Sequence, residues 1–136
     1  MHSAQIPSQI DKNQVTRVAV KLFFAITDSW SLTDKQRCIL AGIESRTTLR
    51  NWRMKLDTGD AIALSRDTLE RLSYIAGIYK GIQLLFSQQS MWNEWVKKPN
   101  KHFAGQSVLD RMLAGNVSDL SDVRRYIDGW RGEHFG

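Results

Sequence analysis

Apolar residues recur every three or four positions along nearly the whole chain, and this spacing constrains the fold more than any other feature. Such a period places apolar side chains on one side of an α-helix, whereas a half-buried β-strand requires strict alternation. No segment of the 136 residues alternates in this way, and no internal repeat is present. The sequence therefore predicts an all-α protein. The expected inward stripe of the first helix is Val15, Val18, Ala19, Leu22, Phe23 and Ile26.

Side chains that can cap a helix precede most of these apolar runs, and glycines follow several of them. A hydroxyl or carboxylate at such a position accepts a hydrogen bond from an unpaired backbone N–H of the first turn. A glycine after the last turn adopts the left-handed angles that end a helix. The expected N-caps are Asp11, Thr33, Ser45, Ser65 and Ser107, the expected terminators are Gly42 and Gly115, and the last helix should begin near Ser118.

The composition excludes several classes of protein. Hydrophobic residues make up 42% of the chain and charged residues 24%, as in an ordinary soluble domain. No apolar run approaches the roughly 20 residues that span a bilayer, and the first residues lack the apolar region of a signal peptide. Cys38 is the single cysteine and the three histidines are scattered. We therefore expect no disulfide, no metal, no cofactor and a cytoplasmic location.

A candidate DNA-reading helix lies between Ser45 and Lys55, after a shorter helix and a tight turn. Leu49 and Trp52 should face the core, which leaves a basic, polar face on the opposite side. Arginine can bind guanine edges, asparagine can bind adenine, and threonine can contact a thymine methyl group or a phosphate. An α-hairpin with a solvated basic face is the alternative. The expected base contacts are Arg46, Thr47, Arg50 and Asn51, and the expected phosphate contacts are Ser45, Arg53 and Lys55.

The spacing of this helix resembles that of a known class of repressors. Ser45-x-x-Thr48-Leu49-x-x-Trp52 is similar to the Ser-x-x-Thr-Val/Leu-x-x-Trp of Xre-type recognition helices. The preceding turn, residues 42–45, has one residue more than the usual Gly-Val/Ile-Ser of those repressors. The resemblance implies operator DNA as a partner.

A second motif lies in the loop at residues 100–107, which follows a helix that carries Trp92 and Trp95. Phe103 can fill the gap between helices, and Gly105 can adopt backbone angles that other residues resist. Ser107 can then cap the next helix. Taken by itself, this segment is a structural corner.

The same segment resembles the toxin-binding domain of Xre/ParS-type antitoxins, whose core is Asn-x-x-Phe-Gly-Gly-x-x-Pro-Leu-Asp/Glu. Ala104 replaces the first glycine of that core, and Val108 replaces the proline. The resemblance implies an antitoxin that dimerises, represses its own operon and blocks the nucleotide pocket of a RES-type toxin, which consumes NAD or transfers ADP-ribose. The matching residues are Asn100, Phe103, Gly105, Leu109, Asp110, Met112, Leu113 and Gly115.

The end of the chain could also contribute to the toxin contact. Arginine and aromatic side chains are frequent binding anchors, whereas terminal residues are often frayed, and both interpretations stay open. Trp130 is in phase with Val123 and Ile127, which favours packing in the core. The expected toxin contacts are Trp92, Phe103, Gly105, Arg131, Glu133, His134 and Phe135.

We predict a flexible N-terminus over residues 1–11, a helix-turn-helix region over 12–88 and a toxin-binding domain over 91–136. The long helix at 67–86 is the expected surface of a homodimer. No catalytic constellation is recognisable, so an enzyme is not expected. The alternatives are a helix-turn-helix repressor without a toxin and an adaptor that does not bind DNA. The residues beside or outside the stripe of the long helix, which should form the dimer contact, are Tyr74, Ile78, Leu84 and Leu85.

Overall fold

The computed structural model describes the backbone of residues 8–135 and the side chains of residues 12–132. Within these limits it contains helices and no strand, which confirms the all-α prediction. Short 3-10 turns at Trp95–Lys97 and Lys101–Phe103 connect the fifth and sixth helices. The α-helices are α1 (Ser8–Ser29), α2 (Asp34–Ala41), α3 (Arg46–Thr58), α4 (Arg66–Leu85), α5 (Gln89–Glu94), α6 (Val108–Met112) and α7 (Val117–Phe135).

Most of the predicted helix ends are confirmed. The side chains of Thr33, Ser45, Ser65 and Ser107 each accept a hydrogen bond from a backbone N–H of the following turn. The cap predicted at Asp11 is wrong, because α1 begins at Ser8. The last helix begins at Val117, one residue before the predicted start. The flexible segment predicted for residues 1–11 lies mostly outside the described residues.

The orientation predicted for α1 is wrong in part. Val20 and Phe24 are buried although they were outside the predicted stripe, whereas Val15 and Val18 are 58% and 57% exposed and Leu22 is 43% exposed. Helix α1 packs against α3 and α4. Burial of aromatic rings removes more apolar area from water than burial of valines, so the helix turns its aromatic side inward. An apolar stripe consequently remains on the surface of α1.

Helices α4 and α7 form the closest helix pair, and α1 covers another side of α4. A Cβ atom at Gly81 would lie 2.5 Å from Ile127 Cγ2, and one at Gly77 would lie 1.7 Å from Arg124 Nη1. Gly81 therefore permits close contact between α4 and α7, whereas at Gly77 the nearest atoms belong to the flexible end of the Arg124 side chain. A single cluster of buried residues runs from Val20 in α1 to Ile127 in α7, so both halves of the described chain share one core.

Candidate functional site

The turn between α2 and α3 has the geometry of a helix-turn-helix. Gly42 ends α2 with a φ of +69°, in the left-handed region that favours glycine. A Cβ atom there would lie 2.6 Å from Arg71 Nε, so the position also lacks room for a side chain. Ile43 donates a hydrogen bond from its backbone N–H to the Cys38 carbonyl oxygen over 3.1 Å. These contacts fix the end of α2 and the first residues of the turn.

Helix α3 presents its predicted polar face to solvent. Leu49 and Trp52 are buried at 0% and 4% exposure, and they anchor the opposite face in the core. The hydroxyl of Ser45 accepts a hydrogen bond from the Thr47 N–H over 3.0 Å and so serves as the N-cap. The four predicted base-contacting residues, which are all exposed on this helix, are Arg46, Thr47, Arg50 and Asn51.

Two of the predicted phosphate contacts also have roles inside the protein. Arg53 Nη2 lies 3.1 Å from Asp34 Oδ1, and its guanidinium group stacks 4.6 Å from the centroid of the Phe24 ring. The hydrogen bond from Arg53 holds the pKa of the Asp34 carboxyl below its ordinary value. Lys55 is half-buried near the end of α3. Phosphate contact by either residue stays a prediction.

Arg17 supports α3 in a way that the sequence did not reveal. Its guanidinium group donates hydrogen bonds to the carbonyl oxygens of Lys55, Leu56 and Asp60 over 3.0, 3.2 and 2.9 Å. These carbonyls lie at the C-terminal end of α3, where a positive charge is favourable. The contact joins residues about 40 positions apart in sequence, so no local signal could have identified it.

Arg37 was also missed, because a basic residue on a short helix is normally exposed. Its Nε donates to Thr27 Oγ1 over 2.8 Å, and its Nη1 donates to Asp34 Oδ1 over 2.9 Å. Asp28 forms a further ion pair with it. Arg37 is only 7% exposed and fixes α2 to α1, so it is unavailable to a polyanion.

The corner at residues 100–107 is held together by hydrogen bonds among its own backbone and side-chain atoms. Asn100 Oδ1 accepts a hydrogen bond from the His102 N–H, and the Asn100 carbonyl accepts one from the Gly105 N–H, both over 2.9 Å. Ala104 has a φ of +56° and Gly105 a φ of +89°, both in the left-handed region. Ser107 and Asp110 form a reciprocal capping box at the start of α6. The loop is therefore a rigid element.

One predicted toxin contact, Phe103, belongs to an aromatic cluster beneath this corner, whereas a second, Trp92, packs against Tyr79. Phe103 is 7% exposed, and its ring centroid lies 5.3 Å from that of Tyr126 in an edge-to-face arrangement. Trp92 is half-buried, and its Nε1 donates to the Phe86 carbonyl over 2.8 Å. Both side chains pack the domain, whereas Gly105 is exposed at the surface. Toxin contact by these three residues stays a prediction.

The C-terminal contacts are described only as far as Gly132. The Arg131 side chain is half-buried, its Cδ approaches Gly81, and its Nη1 lies 3.5 Å from Asp128 Oδ1. The predicted toxin contacts at residues 133–135 concern Glu133, His134 and Phe135, whose side chains lie outside the described residues.

A cleft that the sequence did not predict lies between the 3-10 turn at 101–103 and one face of α7. Its volume is about 630 Å³. The α7 residues that line it are spaced at the helical period and point away from the buried stripe of that helix. We refer to it as the loop–α7 cleft, and it is lined principally by His102, Arg111, Asp122, Arg125, Tyr126 and Trp130.

A second groove, of about 410 Å³, lies between α1 and α4. Leu22 and Ala25 line it from α1, and Ala76 and Lys80 line it from α4. Val15 and Val18 continue the apolar surface along α1. The sequence-based dimer surface is wrong at Ile78, which is completely buried because α4 is covered on more than one side.

The structure shows neither of two other kinds of site. No three or more His, Cys, Asp or Glu side chains between residues 12 and 132 converge where a metal ion could bind. No helix among those that the structure describes is long and apolar enough to cross a membrane. The exposed face of α3, the corner with its cleft and the α1–α4 groove are three distinct surfaces of the described residues.

Comparison with known proteins covers nearly the whole chain. Residues 10–77 match the family model of the antitoxin Xre-like helix-turn-helix domain. Residues 83–132 match that of the antitoxin Xre/MbcA/ParS C-terminal toxin-binding domain. An uncharacterized protein of Sinorhizobium fredii, y4oB, is 35% identical over 130 residues, which cover 96% of this chain and 89% of that relative.

Proposed function

Since the chain belongs to the family of Xre-like antitoxins with an Xre/MbcA/ParS toxin-binding domain, we propose that it neutralises a RES-type toxin in a type II toxin–antitoxin system. Such a toxin consumes NAD or transfers ADP-ribose. Inhibition is steric in this proposal, because the antitoxin occupies the approach to the active site of the toxin. No catalytic step and no cofactor is assigned to the chain, and a cytoplasmic location is part of the same proposal.

The observation that carries the toxin-binding part is the rigid corner at residues 100–107. Phe103 and the hydrogen bonds of Asn100 hold this loop in one shape, and Gly105 and His102 remain exposed on it. A pre-formed surface loses little conformational entropy when it binds a partner. Phe103 and Trp92 therefore act mainly by maintaining the shape of the surface. The division into a region at 12–88 and a region at 91–136 stays part of the proposal.

The test is co-expression with the product of the adjacent reading frame, followed by a pull-down and a measurement of cellular NAD. We expect a stable complex and restoration of NAD that the toxin alone depletes. Phe103→Ala should weaken the complex through loss of loop shape, whereas the exposed Lys98→Ala should not. A neighbouring gene product that neither binds nor affects NAD would favour a repressor without a toxin.

We also propose that α3 binds operator DNA and represses the operon of the antitoxin. The support is the exposure of Arg46, Thr47, Arg50 and Asn51 on a helix that is anchored by its opposite face. A bidentate arginine–guanine contact contributes about 1–3 kcal/mol of discrimination. Arg46→Ala or Arg50→Ala should therefore weaken binding to promoter DNA by about fivefold to 150-fold in an anisotropy titration.

The matched control for DNA binding is Lys98→Ala, which removes the same charge far from α3 in sequence. Binding by the wild-type chain should also weaken as salt rises, because cations are released from the phosphates. Undiminished toxin binding together with no affinity for promoter DNA would favour the adaptor interpretation.

A homodimer is the third part of the proposal, and the α1–α4 groove is its surface. Val15, Val18 and Leu22 form an exposed apolar stripe at the helical period beside this groove. Contiguous apolar patches on a small protein frequently mark interfaces. Light scattering should show a dimer for the wild-type chain and a monomer for Val18→Glu. Gln106→Glu, on the exposed corner, is the control that should remain dimeric.

A further inference from the structure

The loop–α7 cleft combines positive charge with a firm aromatic wall. We propose that it receives an acidic segment of the toxin, in which a carboxylate contacts Arg125 and Arg111 and a neighbouring apolar side chain contacts Tyr126. This inference rests on the proposed toxin-binding function, and it specifies the surface and the chemistry of the contact.

One of the two arginines that line the cleft is only loosely paired. Arg111 Nη2 donates to Asp122 Oδ2 over 2.8 Å, and Arg111 Nε lies 3.1 Å from Asp119 Oδ1 without the alignment of a hydrogen bond. Arg125 Nη1 is 3.7 Å from Asp122 Oδ1, near the limit of an ion pair. The two aspartates thus balance the two guanidinium charges, but both lie close to Arg111, so the charge of Arg125 is the one that is least compensated.

Arg125 is the group best placed to take an incoming anion. Its side chain is 77% exposed, compared with 35% for Arg111. Arg111 is held by two aspartates, and its guanidinium group lies 5.6 Å from the centroid of the Phe103 ring. The pair therefore offers one fixed and one adjustable cation, and arginine can bind a carboxylate through two parallel hydrogen bonds.

The aromatic wall is held rigid on both sides. Tyr126 stacks against His102, with ring centroids 4.3 Å apart and an interplanar angle of 19°. It also lies nearly parallel to Trp95, at 6.4 Å and 8°. Rigid aromatic and arginine side chains are the residue types that contribute most to binding energy at protein interfaces. The cleft therefore resembles a pre-formed socket for a side chain of a partner.

Gly129 also lines the cleft, and its lack of a side chain leaves space there. A Cβ atom at Gly129 would meet nothing within 4 Å, whereas one at Gly81 would lie 2.5 Å from Ile127 Cγ2. A glycine within a helix costs about 1 kcal/mol relative to alanine. A leucine at residue 129 would project into the cleft without disturbing the core and would favour the helix. This position therefore permits a steric test that should not impair folding.

The experiment measures the affinity of the full-length chain for the product of the adjacent reading frame by isothermal titration calorimetry. Arg125→Glu and Gly129→Leu should each weaken binding at least about tenfold, as expected for loss of a close charge pair or a buried contact. Lys98→Glu makes the same charge change at an exposed residue that does not line the cleft, and it should bind within about twofold of the wild type. Circular dichroism checks the fold of each variant.

The outcomes separate this inference from the proposed function. If the wild type binds and both cleft variants bind equally well, the cleft assignment is wrong and the proposed function stands. If only Gly129→Leu weakens binding, the contact is apolar and the acidic segment is refuted. If the wild type does not bind, both proposals are refuted. Binding of ADP-ribose that Arg125→Glu abolishes would identify a nucleotide site and overturn the proposal.

Discussion

Ala104 occupies a backbone conformation that favours glycine, so Ala104→Gly should stabilise the protein. Its φ of +56° lies in the left-handed region, where an L-residue with a Cβ atom loses about 1–2 kcal/mol. Glycine avoids this penalty but loses more conformational freedom on folding, at a cost of roughly 0.5–1 kcal/mol. The side chain of Ala104 is exposed, so its removal sacrifices little packing. The balance is a gain of about 0.5–1 kcal/mol.

The measurement is the free energy of unfolding from denaturant titration, together with the melting temperature. A gain of this size should raise the melting temperature of a chain of this length by about 2–4 °C. Ala63→Gly is the matched control, because Ala63 is also exposed but has no positive φ. It should destabilise the protein by a few tenths of a kcal/mol to about 1 kcal/mol through the unfolded state.

The reasoning is refuted if both variants change stability in the same direction and by the same amount. Gly105→Ala provides the reverse test, since Gly105 has a φ of +89° and open space around its Cα atom. It should cost about 0.5–1 kcal/mol, because the backbone strain of an L-residue exceeds the conformational entropy that alanine saves on folding. A neutral result would show that the loop relaxes out of the left-handed region.

Three further predictions concern the core, an ion pair and a helix end. Gly81→Ala should lower the free energy of unfolding by about 1–3 kcal/mol, because the added Cβ atom overpacks the contact with Ile127. Gly132→Ala lies on α7 with open space around it, and it should raise the same free energy by up to about 1 kcal/mol. Both are measured by denaturant titration. The lowered pKa of Asp34 makes its ionised form stabilising above its ordinary value of 3.8, and this contribution is lost as the pH falls through the lowered pKa. The wild type should therefore be more stable than Asp34→Asn at pH 7. In unfolding curves measured across pH, this difference in stability should shrink below about pH 4. A difference that stays constant with pH would contradict the prediction. Arg17→Ala should lower the free energy of unfolding by about 1–3 kcal/mol, because Arg17 binds backbone carbonyls at the end of α3. It should weaken promoter binding less than Arg46→Ala does. An unchanged free energy of unfolding would contradict this role.

Features that depend on adjacent residues could be predicted from the sequence. The capping boxes at Thr33 and Ser107 are examples, because each needs only a hydroxyl and an acceptor side chain three residues later. The buried face of α3 was predicted for a similar reason, since Leu49 and Trp52 are the bulky apolar residues at the required spacing. The exposed polar face of the candidate DNA-binding site follows directly from that assignment.

Features that depend on long-range packing could not be predicted. Helix α1 carries two apolar faces, and only contact with α3 and α4 determines that Val15 and Val18 stay outside. The burial of Ile78 has a comparable cause, because the periodicity of α4 does not reveal how many neighbours cover that helix. The loop–α7 cleft joins Arg111 to residues of the next helix, so neither segment shows it alone.

The close approach of α4 and α7 has a consequence for any assembly that contains both DNA and toxin. The 20 residues of α4 extend about 30 Å from the end that packs on α2 to the end that packs on α5. Since both halves share one core, the chain keeps its N-terminal and C-terminal surfaces at a fixed distance and orientation, as a flexible linker would not. A toxin bound to the chain would lie at a constant distance from the DNA axis and at a constant angle around it. Inserting half a helical turn of DNA between two operator sites would therefore place the toxin of one site on the opposite side of the duplex.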